Sequence, residues 1–406
     1  MLPHPPAVGL VDHLEHFGPP PDRGAELIEA VRRAGLRGRG GAGFPTATKM
    51  AAVAGRRRPV VVANGTEGEP LSAKDKTLLT FAPHLVLDGV VLAAGAVGAR
   101  QATLCVERTA AVTIEAVSRA LHERSRARLD PVEVELARTP DRYVAGEESA
   151  LVHWLNGGEA KPTFVPPRPY ERGVAGRPTL IANVETLAQM ALIARHGPEW
   201  WRSVGTAEDP GATLMTVSGA VARPGVYEIP FGIALEALLG AAGAPVPVAG
   251  PVLVGGYFGT WIPPARIGQV DLASASLGRA GASFGCGAIA VLPEGSCGLA
   301  ESARVARWLA DQNAGQCGPC MFGLPAIAAA MEAIVAGERS REAERLVGRW
   351  TAMVKGRGAC KHPDGVARFV ESSLRTFAAD VVEHRRRGPC PSRPAILPAP
   401  EKGGWR

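Results

Sequence analysis

The sequence predicts an α/β layer domain, then a small α+β module, then an antiparallel helical bundle. From about Ala25 to Gly197, helical segments alternate with short β-rich runs at 59–63, 102–106 and 131–136, the pattern of helices layered on a sheet. Composition shifts near Gly211, where 213–239 reads strand, Pro224-Gly225 turn, strand and helix. After Cys297 strand character ends, and four helical stretches at 299–313, 323–336, 339–355 and 364–383 suggest a bundle. The expected units are therefore 1–211, 212–297 and 298–386. A Pro-rich tail, 387–406, is expected to be flexible.

At 406 residues and 46% hydrophobic, the chain has enough apolar material for two or three cores. Its 49 glycines and 35 prolines form no long low-complexity block, which points to many shaped loops. Apolar runs are interrupted: 85–99 contains Asp88 and three glycines, and the N-terminus lacks a basic-then-apolar signal pattern. A cytoplasmic protein is expected. The net charge is +6, but no basic block with interleaved aromatics occurs, so nucleic-acid binding is not expected. Only seven of the 45 basic residues are lysine. Three of them, Lys49, Lys74 and Lys76, fall beside the loops described next, where an ammonium can meet a phosphate, although Lys76 alone reads as surface charge.

Between Gly35 and Gly43, five glycines in nine residues remove the Cβ atoms that would keep a phosphate from backbone N–H groups. Gly38, Gly40 and Gly43 satisfy G-x-G-x-x-G, yet the preceding 25–33 has helical character, so the strand-first dinucleotide context fails. Asn64-Gly65-Thr66-Glu67-Gly68-Glu69-Pro70 directly follows the first predicted strand, where open α/β sheets place ligands. Hydrolase and nucleotide-triphosphatase signatures are missing: there is no Gly-x-Ser-x-Gly elbow, since Gly281-Ala282-Ser283-Phe284-Gly285 spells the string but leads into an apolar run and not a helix, and there is no His-Glu-x-x-His and no P-loop.

Taken in order, four motifs resemble the flavin-bearing, NADH-oxidising subunit of respiratory complex I and its relatives in NAD-linked hydrogenases and formate dehydrogenases. They are the glycine loop ending Gly43-Phe44-Pro45-Thr46, Asn64 through Asp75, Tyr143 through Leu151, and Gly173 through Thr186. The resemblance spans roughly 27–377. It implies an α/β domain holding FMN with NAD(P)H stacked on it, then a β-grasp domain, then an all-α helical bundle with a [4Fe–4S] cluster.

Position by position, the resemblance implies that Gly38, Arg39, Gly40, Gly41 and Lys49 hold the flavin phosphate and approach the nucleotide, with Gly43 in the same loop. It implies that Phe44 stacks on the nucleotide and that Asn64, Glu67, Tyr143, Gly146, Glu147 and Asn183 line the flavin. Glu69 would face the nucleotide and Glu148 the nicotinamide, making these two the candidate catalytic carboxylates. Standing alone, Glu147 reads as a helix N-terminal residue and Asn183 as a turn residue. A flavin takes hydride as two electrons and releases them singly, so positioning and nearby charge are what the protein must supply.

Two departures from the family stand out. The cluster motif reads Ala314-Gly315-Gln316-Cys317-Gly318-Pro319-Cys320, with Cys360 further on, so alanine replaces the first thiolate. Three thiolates leave one iron open. A three-iron cluster, a four-iron cluster completed by His362, Cys390 or a non-protein ligand, a zinc site, a thioredoxin-like dithiol and no metal at all remain open. The other three cysteines, Cys105, Cys286 and Cys297, read as core or near-core thiols. On the nucleotide side, family-like aromatic and lysine positions appear as Ala52, Val165 and Arg168, and Arg168 can stack or reach a phosphate.

The resulting reading is an FMN-dependent oxidoreductase subunit that passes hydride from NAD(P)H to flavin and single electrons to an iron–sulfur partner. The resemblance implies a thioredoxin-like [2Fe–2S] subunit or similar protein as that partner, and peripheral association with a membrane complex. A ferredoxin-like electron donor and a non-catalytic scaffold are the alternatives.

Overall fold

The computed structural model describes residues 1–406 apart from 4, 5, 22, 339, 392–395 and 402. Helices α1 (Leu10–Phe17), α2 (Glu26–Ala34) and α3 (Thr46–Val53) precede the first strand. There follow β1 (Val60–Gly65), α4 (Lys74–Phe81), α5 (Pro83–Val97), β2 (Gln101–Glu107), α6 (Ala111–Arg126), β3 (Glu133–Thr139) and α7 (Glu148–Leu155). This part closes with β4 (Thr179–Asn183), α8 (Val184–His196) and α9 (Pro198–Arg202).

The four strands form one parallel sheet in the order β3-β2-β1-β4, with Asn64 beside Cys105 on one side and Asn183 on the other. Alternate residues of β1 enter different cores: Val61 and Ala63 pack toward α5 and α8, and Val60 and Val62 toward α7. Three of these strands are predicted by sequence. The fourth, β4, is not: its five residues lie within a motif recognised for its polar end.

Helices α5 and α8 approach closely because position 89 has no side chain. A Cβ on Gly89 would lie 2.0 Å from the Leu187 carbonyl oxygen. Beside this crossing, the fully buried Asp88 accepts from His13 Nε2 at 2.8 Å, pairs with Arg124 at 2.8 Å and also pairs with Arg195. Burial opposes the Asp88 charge. The His13 hydrogen bond and the two guanidiniums outweigh it and hold the pKa below the ordinary carboxylate value. One carboxylate thereby ties α1, α6 and α8 to α5.

The middle of the chain contains β5 (Ala212–Gly219), β6 (Gly225–Pro230), α10 (Leu235–Ala241), β7 (Val252–Val254), β8 (Thr260–Ile262), α11 (Ser274–Arg279) and β9 (Ala288–Val291). Its strands make a mixed sheet ordered β6-β5-β9-β7-β8. The C-terminal helices are α12 (Gly298–Asp311), α13 (Leu324–Ala336), α14 (Ser340–Val354), α15 (His362–Thr376) and α16 (Ala378–Arg387). Of the helix expected at 339–355, Arg339 lies outside the described residues. The stretch read as one helix at 364–383 is two, broken at Phe377, whose ring packs against Trp261 of β8.

Apolar continuity is greater than the sequence suggested. The helical run Pro319–Ala336 is long and apolar enough by composition to cross a membrane, and its inward residues Leu324, Ile327, Met331 and Ile334 are fully buried in the bundle core.

The tail is also more engaged than its proline content suggested. Glu301 accepts from the backbone N–H groups of Ile396 and Leu397, and Leu397 is buried. Trp308 Nε1 donates to Pro400 O at 2.7 Å, and the Arg142 guanidinium lies 3.9 Å over the Trp405 ring. Backbone capture by a buried carboxylate compensates for what prolines cannot donate.

Candidate functional site

The glycine loop is a closed hairpin with a bare tip. Gly38 N–H donates to Phe44 O at 2.9 Å and Thr46 N–H to Leu36 O at 3.0 Å, pinning the neck. Among the described residues, nothing accepts from the N–H groups of Gly40, Gly41, Ala42, Gly43 or Phe44. Gly41 (φ 103°) and Gly43 (φ 60°) hold conformations that L side chains rarely adopt. Five free N–H groups on one exposed turn suit an anion such as a flavin phosphate.

This tip faces the carboxyl ends of the parallel strands. A Cβ on Gly40 would lie 3.6 Å from Asn183 Cβ. Asn183 Nδ2 donates to Asn64 O at 3.3 Å and to Asp75 Oδ2 at 2.7 Å, while its Oδ1 caps α8 by accepting from Glu185 N–H. Asn64 Nδ2 in turn donates to Gly146 O at 2.8 Å. Two further glycines interlock the loops: a Cβ on Gly68 would lie 3.0 Å from Tyr143 O, and one on Gly146 3.0 Å from Thr66 O. The structure thus brings Gly40, Asn183, Asn64, Gly146 and Tyr143 into one continuous set.

Several side chains have other work than the resemblance implied. Arg39 turns inward, donating to Gln189 Oε1 and Ala212 O and lying 4.5 Å over the Phe231 ring, and burial lowers its pKa to about 10. Only its backbone remains at the loop, with its N–H on Thr186 Oγ1. Glu67 accepts from Ser72 Oγ and from the Asp75 and Lys76 N–H groups, so its carboxylate caps α4. Glu147 caps α7, accepting from the Ser149 and Ala150 N–H groups, and burial raises its pKa. Both Glu147 and Asn183 are helix caps as well as neighbours of the site.

Glu69 is buried where the three parts of the chain meet. It accepts from Tyr143 Oη at 3.0 Å and from the Tyr257 N–H at 2.9 Å. Burial raises its pKa to about 7 against these bonds. Glu148 pairs with Lys49, joining α7 to α3, and Phe44, at the end of the glycine loop, has half its surface exposed.

Lys74 and Lys76 are engaged rather than free for phosphate. Lys74 sits between Asp75 at 2.7 Å and Glu185 at 3.0 Å, and Lys76 meets Glu107 at 2.9 Å. Burial works against the Lys74 charge, but Asp75, Glu185 and Glu67 outweigh it and raise its pKa. In this group, which holds Asn183 from behind, Lys74 is expected from sequence to meet a phosphate, while Asp75 and Glu185 have no role assigned by sequence beyond lying inside recognised motifs.

Cys317, Cys320 and Cys360 converge, each close enough to influence its neighbours electrostatically, and Glu147 acts on Cys360. The Ala314 N–H lies near enough to the Cys320 sulfur to favour its thiolate, so the residue lacking a thiolate lines the same site. Three soft donors of this kind fit a cluster with one corner left to another ligand. His362 Nε2 donates to Leu309 O at 2.9 Å, which leaves only Nδ1 as a donor atom. Cys390 lies elsewhere, against His384 and Cys297.

Comparison with known proteins identifies the chain's relatives. Residues 31–192 match the Nuo51 FMN-binding domain, and residues 300–384 the NADH-ubiquinone oxidoreductase-F iron-sulfur binding region. An F-type NADH-quinone oxidoreductase subunit of Rhizobium meliloti is 32% identical over 380 residues, covering 90% of each chain. The F-type subunit of Streptomyces coelicolor is 31% identical over 389 residues, covering 91% of this chain and 85% of that one. Among solved structures, an NAD+-reducing [NiFe]-hydrogenase in the air-oxidized state superposes with a TM-score of 0.81 at 34% identity and 91% coverage of this chain. The present chain covers 64% of that hydrogenase chain, less than two thirds of its length. On this sequence and structural likeness the chain belongs to the family of F-type NADH-quinone oxidoreductase subunits and carries both the FMN-binding domain and the iron–sulfur binding region of that family.

Proposed function

We propose that the chain is the flavin-bearing subunit of a larger electron-transfer assembly, taking hydride from NAD(P)H and delivering single electrons to an iron–sulfur partner. The carrying observation is the glycine turn, whose five N–H groups are unpartnered among the described residues, set against Asn183, which in turn bonds Asn64 O. FMN, when bound, supplies the conversion between a two-electron and a one-electron carrier. The N–H groups of 40–44 would hold its phosphate, and the glycine-interlocked backbones at 65–68 and 146 would let a flat ring approach. Glu69, with a pKa of about 7, exchanges a proton at its carboxyl near neutrality within reach of Tyr143 Oη. Glu148 and Lys49 would place opposite charges at the nucleotide side, where the exposed Phe44 ring would stack. Cys317, Cys320 and Cys360 would hold the cluster.

In this reading the middle module is a β-grasp domain between the FMN domain and the bundle. The protein works in the cytoplasm, where seven free thiols are kept reduced. A [2Fe–2S] subunit of thioredoxin type is the proposed partner, with peripheral attachment to a membrane complex.

Anaerobic purification with FMN reconstitution tests the assignment. The expected result is a yellow protein whose flavin absorbance bleaches within the mixing time of NADH or NADPH. A chain that retains no flavin removes the proposal. Ala52 and the exposed Val165 and Arg168 at nucleotide-side positions favour one second reading, in which a reduced ferredoxin-like protein is the donor. Bleaching by reduced ferredoxin but not by either nucleotide would select it.

A further inference from the structure

We infer a second metal site, separate from the Cys317, Cys320 and Cys360 group, in which Cys297, His384 and Cys390 bind a zinc-like soft divalent cation. The ligand atoms of these three residues lie within 4.8 Å of one another. His384 Nε2 is 3.4 Å from Cys297 Sγ and 2.9 Å from Cys390 Sγ. Tetrahedral zinc, with Zn–S about 2.3 Å and Zn–N about 2.0–2.1 Å, separates sulfur and nitrogen ligands by about 3.6 Å. The first spacing fits already, and the second needs an opening of less than about 1 Å in a ligand on an exposed segment.

The surrounding bonds prepare the donors. Val335 O lies 2.8 Å from His384 Nδ1, which fixes the proton on that nitrogen and leaves the Nε2 lone pair toward the sulfurs. Cys297 Sγ accepts from the Ala300 N–H at the start of α12, which orients the sulfur toward His384 Nε2. Two thiolates and an imidazole are a donor set for zinc, with water completing the fourth position.

The site has a structural consequence. Cys297 precedes α12, His384 sits in the last turn of α16, and Cys390 begins the tail that Glu301 captures a few residues later. A bound cation fastens the two helix ends together and aims the tail along α12. The site does not depend on flavin or on the other cysteines.

The experiment uses the full chain carrying Cys317→Ser, Cys320→Ser and Cys360→Ser, reduced, stripped with a chelator and titrated anaerobically with Co2+ and then Zn2+. The expected result is one tetrahedral, thiolate-ligated Co2+ spectrum, abolished by Zn2+ and lost when Cys297→Ser and Cys390→Ser are added. His384→Gln should weaken binding by more than the ~10–100-fold typical of outer-shell changes. An unchanged cobalt spectrum after loss of Cys297 and Cys390 overturns the site, as does a Cys297–Cys390 disulfide persisting in metal-loaded protein. Because multiple variants can misfold, thiol alkylation of the unmodified chain gives a second reading. Zn2+ should protect Cys297 and Cys390 together, and equal labelling with and without Zn2+ counts against the proposal.

Discussion

The Tyr143 hydroxyl donates to the Glu69 carboxylate at 3.0 Å, joining the loop before α7 to the loop after β1. Tyr257 N–H shares the same carboxylate oxygen at 2.9 Å. The folded-state pKa of Glu69, about 7, lies above the unfolded value near 4.5. The folded chain therefore binds more protons between these values, and stability falls as pH rises through that window. Stability is full below about pH 4.5, declines toward pH 7 and levels off above about pH 7, where the loss from this residue reaches about 3 kcal/mol. Urea denaturation at pH 5 and pH 8 should show Glu69→Gln flattening the profile. An identical pH slope in both proteins would rule out the raised pKa.

Asp88 offers a stability test remote from any ligand. Asp88→Asn leaves Arg195 buried without its anion and takes one of two carboxylates from Arg124, which keeps Asp130, and should cost about 3 kcal/mol in chemical denaturation. A loss under about 1 kcal/mol would mean that water reaches the cluster.

Gly65 couples stability to cofactor binding. An added Cβ meets Leu79 Cδ1 at 2.8 Å and Cys105 O at 2.9 Å, so Gly65→Ala should cost about 1–3 kcal/mol. Since Asn64 shifts with it, flavin fluorescence titration should show weaker FMN binding as well.

Glu148 and Lys49 separate chemistry from folding. Both are partly exposed, so Glu148→Gln should change stability by less than about 1 kcal/mol. Nucleotide oxidation should fall about tenfold or more with flavin content unchanged, a turnover loss of about 1.4 kcal/mol or greater. Full nucleotide oxidation in this variant would remove Glu148 from the chemistry, whereas unchanged cellular function with both Glu69→Gln and Glu148→Gln would support the scaffold reading.

Ala314→Cys restores the missing thiol beside Cys320. Iron per chain after anaerobic reconstitution should rise by about one, with low-temperature EPR changing from a three-iron to a four-iron signal. Iron content unaffected by the substitution would show that another donor already closes that corner.

Much of this is legible in the sequence because local chemistry repeats a pattern. The glycine turn, the polar ends of β1 and β4 and the Cys-Gly-Pro-Cys run are short-range signals, and so is the switch from strand to helix after Cys297. What is not legible depends on long-range burial. Arg39 reads as a phosphate ligand in a glycine loop, and only Gln189, Ala212 and Phe231, far along the chain, draw its guanidinium inward. The break at Phe377 carries no Gly or Pro, because packing on Trp261 sets it. Proline content suggests a loose tail, and Glu301 holds it through backbone groups that composition does not report. Cys297 and His384 are 87 residues apart, with no motif connecting them.

Gly89 has no chemical function of its own, yet it governs where a ligand would sit. Its bare backbone sets the resting height of α8, and that rod carries Asn183 at its leading end. A methyl group added there would lever the rod outward and tilt the amide away from the phosphate turn. Cofactor loss would then arise from a position that a survey of charged and polar residues passes over.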